Sequence, residues 1–223
     1  MSDFYSIIIP IYNEQSKIEL LLSKLKYYKD IGHEIIIVDD GSDDNSNIIL
    51  SKCHYISLIT LEKNKGKGVA LRHGLLNASN NKIIIYDGDL ELDPIHIKSL
   101  MILHESQKDM CVFAARDFIG HPFFSFWKIG NYFFTVLFNF LNNTNVKDAL
   151  CCAKSFYKSD LNISQLKSTK FDIDVEIASL LALKCKKIIN VNIEYKRRKI
   201  KDGKKLRFTD SWLILKRIIF KTN

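Results

Sequence analysis

The first half of the chain alternates continuous apolar runs with segments of helical periodicity. The apolar runs predict four strands, at 6–11, 34–38, 55–61 and 82–86. The helical spacing predicts helices over 14–28 and 67–78, and a short helix after Asp43 or Asp44. Because the strand runs do not alternate with polar residues, they are typical of parallel strands covered on both faces. The pattern therefore predicts an α/β fold with a doubly wound, mostly parallel central sheet flanked by helices.

The second half of the chain is less regular. Its pattern predicts helices over 94–107, 175–183 and 212–221, and strands over 110–115, 149–157 and 188–195. The segment 118–141 holds 10 of the 25 aromatic residues, interrupted by polar side chains. We interpret it either as helices at a membrane interface or as helices whose aromatic side chains lie in the core.

Composition and charge narrow the class of protein. The 223 residues fit one domain, with 47% hydrophobic and 26% charged residues as in ordinary globular proteins. The net charge of +8 favours an anionic partner, and the segment 196–207 alone holds eight basic residues and one acidic residue. That segment is interpreted as a solvated hairpin or as an element that binds phosphate. No RNA-binding signature accompanies it, so nucleic acid is not an expected partner.

The cysteine spacing and the N-terminal sequence indicate the cellular compartment of the protein. Five cysteines show no metal-ligand spacing, and no signal peptide is visible. Apolar runs also stay short of the roughly 18–20 residues that a membrane-spanning helix needs. We therefore expect reduced thiols and a cytoplasmic location, with a peripheral position on the cytoplasmic face of a membrane as a second option.

The acidic segment Asp87-Gly88-Asp89-Leu90-Glu91 follows directly after a predicted buried strand. Three carboxylates at every second position can converge on Mg²⁺ or Mn²⁺, which prefer oxygen ligands. A glycine between them removes a side chain where the backbone comes close to a ligand. The simpler interpretation is an Asx-type turn.

Two other polar clusters follow predicted strands at the same edge of the sheet, Asn13-Glu14 and Asp39-Asp40-Gly41-Ser42. The second cluster suits the base and ribose of a nucleotide, and it also suits a helix N-cap. In addition, the segment 64–68 places lysines and glycines at the start of a predicted helix, where free N–H groups favour a phosphate. Ligands bind at this edge in open α/β sheets.

In order and spacing, these motifs resemble glycosyltransferase family 2, whose members have the nucleotide-sugar-binding GT-A fold. Four stretches carry the resemblance, at 7–14, 36–42, 64–68 and 87–94. The second half is similar to the branch of dolichol-phosphate mannose or glucose synthases, through the stretches 115–118, 147–154, 171–176 and 195–206.

The resemblance implies one GT-A domain over 1–223, with a nucleotide-sugar-binding half at 1–115 and an acceptor-binding half at 116–223. It implies an inverting transfer of a hexose from a UDP- or GDP-sugar to a polyprenyl phosphate, with Mg²⁺ or Mn²⁺ as cofactor. Many members of the branch have Ala and Gln where this chain has Gly88 and Glu91.

The same resemblance implies roles for individual residues. The implied metal ligands are Asp87, Asp89 and Glu91. The implied catalytic residues are Asp89, Arg116, Asp148, Glu176 and Arg198. The nucleotide-sugar would contact Pro10, Tyr12, Asn13, Glu14, Asp39, Asp40, Gly41, Lys67, Asp87 and Gly88. The acceptor phosphate would contact Arg116, Lys128, Lys204 and Lys205.

Two alternatives stay open on the sequence. In the first, a related family 2 enzyme extends a glycan by attack of an acceptor hydroxyl, and Glu176 acts as the base that this attack requires. In the second, the chain is a non-catalytic basic binding protein. The strand-end carboxylates argue against the second, because they would repel a phosphate backbone.

Overall fold

The computed structural model describes residues 3–104, 106, 109–117, 126–198 and 208–220. One seven-stranded sheet forms its centre, in the order β3-β2-β1-β4-β6-β5-β7. The strands are β1 Tyr5–Ile11, β2 Glu34–Asp39, β3 Ser57–Thr60, β4 Lys82–Ile85, β5 Met110–Asp117, β6 Lys154–Tyr157 and β7 Lys187–Glu194. Only β6 runs antiparallel to its neighbours β4 and β5, and the other pairs are parallel. The predicted α/β class and mostly parallel sheet are confirmed.

Helices cover both faces of this sheet. The α-helices are α1 Gln15–Asp30, α2 Ser46–Ser51, α3 Lys67–Asn77, α4 Phe126–Asn142, α5 Ile173–Lys184 and α6 Phe208–Ile219. Short 3₁₀ helices occupy Pro94–Leu100, Lys158–Asp160 and Ile163–Gln165. No helix in the described part of the chain combines the length and apolar composition needed to cross a membrane.

The hydrophobic core has two layers, one on each face of the sheet. Ile7 and Ile9 of β1 pack with α1, whereas Ile8 between them belongs to the layer under α3 and α5. Successive side chains of a strand point to opposite faces, so both faces of β1 must be apolar. This explains why the strands of the first half read as continuous apolar runs.

Several predicted boundaries were wrong. The predicted helix over 94–107 is a 3₁₀ helix that begins at Pro94, with the Asp93 side chain accepting from the Ile95 N–H, and ends at Leu100. The predicted strand over 149–157 covers only Lys154–Tyr157, because the segment before it turns around Asp148, whose carboxylate accepts from the Leu150 N–H.

The last helix begins at Phe208, before its predicted start at Trp212. Asp210 therefore lies in the first turn, where a carboxylate interacts favourably with the helix dipole.

The aromatic segment is buried on one side of α4, and its interpretation as a membrane-interface element stays a prediction. Its residues 118–125 lie outside the described part of the chain, and its remainder lies in α4. Phe138 of α4 is fully buried in the core, whereas Tyr132, Phe133 and Phe140 are each more than half exposed. The helix therefore covers the sheet with one side and presents aromatic side chains on another.

Candidate active site

A cleft of about 1290 Å³ lies at the carboxyl ends of the central strands. It is bounded by the polar turns after β1, β2 and β4, by the end of β5, and by residues of α4, α5 and α6. Eleven of the residues predicted from sequence line it: Pro10, Tyr12, Glu14, Asp40, Lys67, Asp87, Gly88, Asp89, Glu91, Arg116 and Arg198. The expectation that the strand-end clusters meet at one edge is confirmed.

Lys67 joins two carboxylates on the floor of the cleft. Its Nζ lies 2.8 Å from Asp87 and 2.8 Å from Asp174 of α5. Burial alone would lower the pKa of Lys67, but the two carboxylates raise it well above its usual value. Burial likewise tends to raise the pKa of Asp87, and Lys67 outweighs that effect and lowers it. Lys67 and Asp87 are therefore both charged at neutral pH.

Arg198 lies at the same end of the cleft and contacts three carboxylates. Its Nη1 donates to both oxygens of Glu14, at 3.0 and 3.1 Å, and its Nη2 donates to Asp89 at 2.8 Å. Its Nε is 3.8 Å from Glu91 and is buried without a hydrogen-bond partner among the described residues. Burial and repulsion from Asp87 and Glu91 raise the pKa of Asp89 to about 6, although Arg198 opposes the shift. This end of the cleft carries more negative than positive charge.

Arg116, at the end of β5, occupies another wall of the cleft. The buried carboxylate of Asp148 accepts from Arg116 Nε at 2.7 Å and from Nη2 at 3.0 Å. The same Nη2 donates to Asn131 of α4, and the guanidinium lies 5.5 Å from the centre of the Tyr195 ring. Burial would raise the pKa of Asp148, but Arg116 lowers it. Asp148 does not line the cleft and acts by fixing Arg116.

Three predicted nucleotide contacts have partners within the protein and do not line the cleft. The fully buried Asp39 accepts from Ser42 and from Asn47. The Asn13 side chain donates to Asp43 at 2.6 Å. Gly41 has a positive φ of 68° and lies against the backbone of Lys63. Asp39 and Ser42 thus form a local turn and do not cap a helix, because α2 begins after Asn45 with no side-chain cap. The predicted contact of these motifs with a nucleotide stays a prediction.

The expectation of free N–H groups in the segment 64–68 was wrong for three of its five residues. The N–H groups of Lys65 and Gly66 donate to Asp40 at 2.8 Å each, and the Gly68 N–H donates to the Thr169 carbonyl at 2.9 Å. A Cβ at Gly66 would lie 2.2 Å from that carbonyl oxygen. The glycines therefore allow α3 to pack against the segment before α5, and Lys67 reaches the cleft through its side chain.

Gly88 is explained by packing in the core and not by the close approach of a ligand, as the sequence had suggested. A Cβ at this position would lie 2.1 Å from Ile11 and 2.9 Å from Ile9, both in the core. The missing side chain thus makes room for packing against β1. The residue still borders the cleft.

Glu176 does not line the cleft. It is 1% exposed, and its carboxylate accepts from the Lys167 and Ser168 N–H groups and pairs with Arg217 at 3.0 Å. This geometry counts against its use as a base. Lys128, in the first turn of α4, does not line the cleft either, and Lys204 and Lys205 lie outside the described residues.

The donor set fits a hard divalent cation in part. Within the described part of the chain, no group of three or more His, Cys, Asp or Glu side chains is arranged to hold a metal. Mg²⁺ and Mn²⁺ are commonly held by one or two carboxylates together with substrate phosphates. The crowded carboxylate of Asp89, with Asp87 on the same turn, matches that mode, so the site would be completed by a phosphate ligand.

Some residues of the site were missed by sequence reasoning. Tyr195 and Asn131 hold Arg116, and Lys17 of α1 donates to the Asp89 carbonyl at 3.2 Å. Asn131 interrupts the aromatic segment, and that break was the only signal for it. For Lys17, a surface position of an amphipathic helix, the sequence holds no signal.

The sheet order and the strand-end cleft define a GT-A type of α/β protein. Residues 6–162, well over half of the chain, match the model of glycosyl transferase family 2. The chain belongs to this family.

Two curated relatives resemble parts of the chain. The dolichyl-phosphate beta-glucosyltransferase of Mus musculus is 32% identical over 98 residues, which are 38% of this chain and 30% of the relative. The undecaprenyl-phosphate 4-deoxy-4-formamido-L-arabinose transferase of Yersinia enterocolitica is 34% identical over 113 residues, 47% of this chain and 35% of the relative. The matches thus span about a third of each relative.

Solved structures agree on the fold. Glucosyl-3-phosphoglycerate synthase from Mycobacterium tuberculosis, in complex with Mn²⁺, UDP and glucosyl-3-phosphoglycerate, superimposes with a TM-score of 0.68 and 17% identity. The superposition covers 97% of this chain and 77% of that chain. At this identity the likeness shows the GT-A fold.

Proposed function

We propose that the protein is an inverting, metal-dependent glycosyltransferase that moves a hexose from a UDP- or GDP-sugar to a polyprenyl phosphate. One observation carries the proposal. A single cleft joins an acid-rich end, with Asp87 and Asp89, to a wall where Arg116 is fixed by a buried carboxylate. The first end suits a cation with a diphosphate, and the second suits the phosphate of an acceptor.

At the donor end, Asp89 with Asp87 would hold Mg²⁺ or Mn²⁺. When bound, the cation would neutralise charge on the diphosphate that leaves. Lys67 fixes Asp87 by a pair at 2.8 Å, so this carboxylate is oriented before any ligand arrives. Preorganised groups of this kind stabilise developing charge without reorganisation during the reaction.

Arg198 is the residue that would contact the donor diphosphate. Its buried Nε lacks a hydrogen-bond partner among the described residues, which costs about 1–3 kcal/mol if it stays unpaired. A phosphate oxygen would satisfy it. A cation on Asp89 would compete with Arg198 for the same carboxylate, so binding of metal and donor would turn Arg198 towards the phosphates.

Arg116 would contact the acceptor phosphate. Its planar guanidinium can bind two oxygens at once, and Asp148 and Asn131 fix its orientation. A polyprenyl phosphate is an anion at neutral pH and attacks without losing a proton, so this acceptor needs no general base. The geometry suits that requirement, since Glu176 is buried against Arg217 and Asp174 is paired with Lys67.

The helices that line the cleft would place the cleft next to a lipid surface. α4 packs against α6, and both helices contribute lining residues, among them Phe134 and Ile214. Away from the cleft, α4 exposes Tyr132 and Phe140, and α6 exposes Trp212. Aromatic side chains favour the boundary between lipid and water. The curated relatives support this choice of acceptor, because their names specify dolichyl phosphate and undecaprenyl phosphate.

A transfer assay tests the proposal. The purified chain is mixed with Mn²⁺ or Mg²⁺, labelled UDP- and GDP-hexoses and undecaprenyl phosphate in detergent, and label is counted in the organic phase. We expect metal-dependent lipid label for the wild type and for Glu176→Gln, and none for the near-isosteric Asp89→Asn. Donor binding without lipid label would reject the acceptor and favour attack by a hydroxyl.

A further inference from the structure

We propose that Gly130 of α4 is a specificity-determining residue, because the space beside it admits the first isoprene unit of a lipid acceptor. This role rests on the proposed function for the class of acceptor. It adds the position at which the lipid chain leaves the cleft, which the polar contacts of the site do not indicate.

Among the described glycines, Gly130 is the one that packing does not require. A Cβ at this position would have no atom of the described residues within 4 Å, whereas at each of the other six it would lie 2.4 Å or less from another atom. Gly130 lies within a helix and does not have a positive φ. Glycine is less stable than alanine in a helix interior, so the local structure gives no reason for it. A ligand that needs the space does.

Gly130 lies where the cleft side of α4 meets its exposed side. Gly130, Asn131 and Phe134 line the cleft, and Phe133 is more than half exposed. Residues three and four positions apart are neighbours on a helix, so Gly130 adjoins both Phe133 and Phe134. The exposed side continues along α4 as a stripe of apolar side chains, Ile129, Tyr132, Phe133, Val136 and Phe140. A chain that passes over Gly130 therefore reaches this stripe from the cleft.

Polar and apolar parts of the cleft meet at the same turn of α4. Asn131, directly after Gly130, accepts from Arg116 Nη2 at 3.1 Å. The helices that pack against α4 contribute apolar side chains to the cleft, Val175 from α5 and Ile214 from α6. Arginine binds phosphate, and apolar walls favour a hydrocarbon chain. This order of groups matches a ligand whose apolar chain begins directly at its phosphate.

The binding of two phosphates tests this role without any donor. Farnesyl phosphate carries a short isoprenoid chain, and inorganic phosphate carries none. Isothermal titration measures the affinity of each for the wild type, Gly130→Ala and Gly130→Leu. We expect Gly130→Leu to weaken farnesyl phosphate by at least about tenfold and inorganic phosphate by no more than about twofold, because the leucine fills the space of the first isoprene unit. Gly130→Ala, the matched control, should stay within about threefold for both.

Melting curves separate blocked binding from misfolding. Alanine and leucine both favour a helix more than glycine does, so neither variant should melt below the wild type. Gly130→Met, with an unbranched side chain, replaces the leucine variant if that variant melts earlier. In the transfer assay, Gly130→Leu should raise the KM for undecaprenyl phosphate by at least about tenfold and leave the KM for the donor within about twofold.

The possible results distinguish this role from the proposed function. Equal losses for both phosphates in Gly130→Leu would overturn the role of Gly130, since the variant would then act on the Arg116 site. Unchanged binding of farnesyl phosphate in Gly130→Leu would also overturn it, and the lipid acceptor would stand. A wild type that binds farnesyl phosphate no more tightly than inorganic phosphate would reject the lipid acceptor, and the role of Gly130 with it.

Discussion

Two arginines in this molecule have similar surroundings and different positions. Arg198 contacts Glu14 and Asp89 in the cleft, and Arg217 of α6 contacts Asp172 at 3.3 Å and Glu176 at 3.0 Å. Both guanidinium side chains are largely buried, with 11% and 18% exposed. Of these two arginines, Arg198 lines the cleft and Arg217 does not.

The ion pairs of Arg198 and Arg217 differ in how completely their polar atoms are hydrogen-bonded. The carboxylate of Glu176 accepts two backbone N–H groups in addition to Arg217, which fixes the segment before α5. Around Arg198, by contrast, the carboxylates are in excess, the pKa of Asp89 is raised to about 6, and Nε lacks a partner among the described residues. Removing one partner of a satisfied buried ion pair destabilises the fold, whereas a buried polar atom without a partner can be satisfied by a ligand.

The largest expected effect is on catalysis at Asp89. Asp89→Asn keeps the shape of the side chain and removes the charge that would hold the cation. We expect kcat/KM to fall by at least about 10³-fold, because stabilisation of the leaving diphosphate is lost. The melting temperature should not fall, since the variant removes excess negative charge. If Asp89→Asn kept activity within tenfold of the wild type, the carboxylates around Arg198 would have no larger role in catalysis than those around Arg217.

The next effect is on stability at Arg217. Arg217→Ala leaves Asp172 and Glu176 buried without their cation, so the free energy of unfolding should drop by about 3 kcal/mol in urea titrations. Arg217→Lys, which keeps the charge, serves as the matched control and should recover part of the loss. A stable Arg217→Ala with abolished transfer would instead assign Arg217 a direct role in the reaction.

Arg198 is expected to show the reverse pattern. Arg198→Ala should lower kcat/KM by about 10²-fold, since one charged contact to the diphosphate is removed. Its unfolding free energy should change less than that of Arg217→Ala, because Asp89, at 23% exposed, is more accessible to water than Asp172 at 9% or Glu176 at 1%. Steady-state kinetics beside urea titrations measure both quantities. Arg198→Lys should retain intermediate activity, and an equal loss in both variants would indicate that the planar fork is essential.

A smaller effect is expected at Glu176. Under the proposed function, Glu176→Gln should reduce transfer by no more than about threefold, because the residue does not reach the cleft. It should also lower the melting temperature through the weakened contact with Arg217. Abolished transfer with intact donor binding would favour the hydroxyl acceptor.

His33, which lies directly before β2, is expected to make the stability of the protein depend on pH. Burial lowers its pKa, and its Nδ1 accepts from the Tyr5 N–H at 3.2 Å, which requires the neutral ring. Below its usual pKa of about 6.5, the unfolded chain binds a proton more readily than the folded chain, so stability falls on acidification. Melting curves between about pH 7 and 5.5 should shift less in His33→Asn. An equal shift in both proteins would exclude His33 as the source.

The sequence predicted the sheet well, and also the edge of the sheet where the site lies, because both depend on local patterns. Continuous apolar runs gave β1, β2 and β4, and the polar turns after them do meet in one cleft. What could not be predicted is the partner of each carboxylate. Glu176 and Arg217 are 41 positions apart, and only the packing of α5 on α6 brings them together. Glu91 shows the same limit, since its hydrogen bond from Tyr195 joins residues 104 positions apart.

Under the proposed function, the strand-end carboxylates bind the donor together with a cation. Isothermal titration of UDP and GDP, with and without Mn²⁺, tests it most directly in the wild type, Asp89→Asn and Glu176→Gln. We expect Mn²⁺ to strengthen the binding of one nucleotide by at least about tenfold in the wild type and in Glu176→Gln, and not in Asp89→Asn. Equal Mn²⁺ dependence in all three proteins would contradict it.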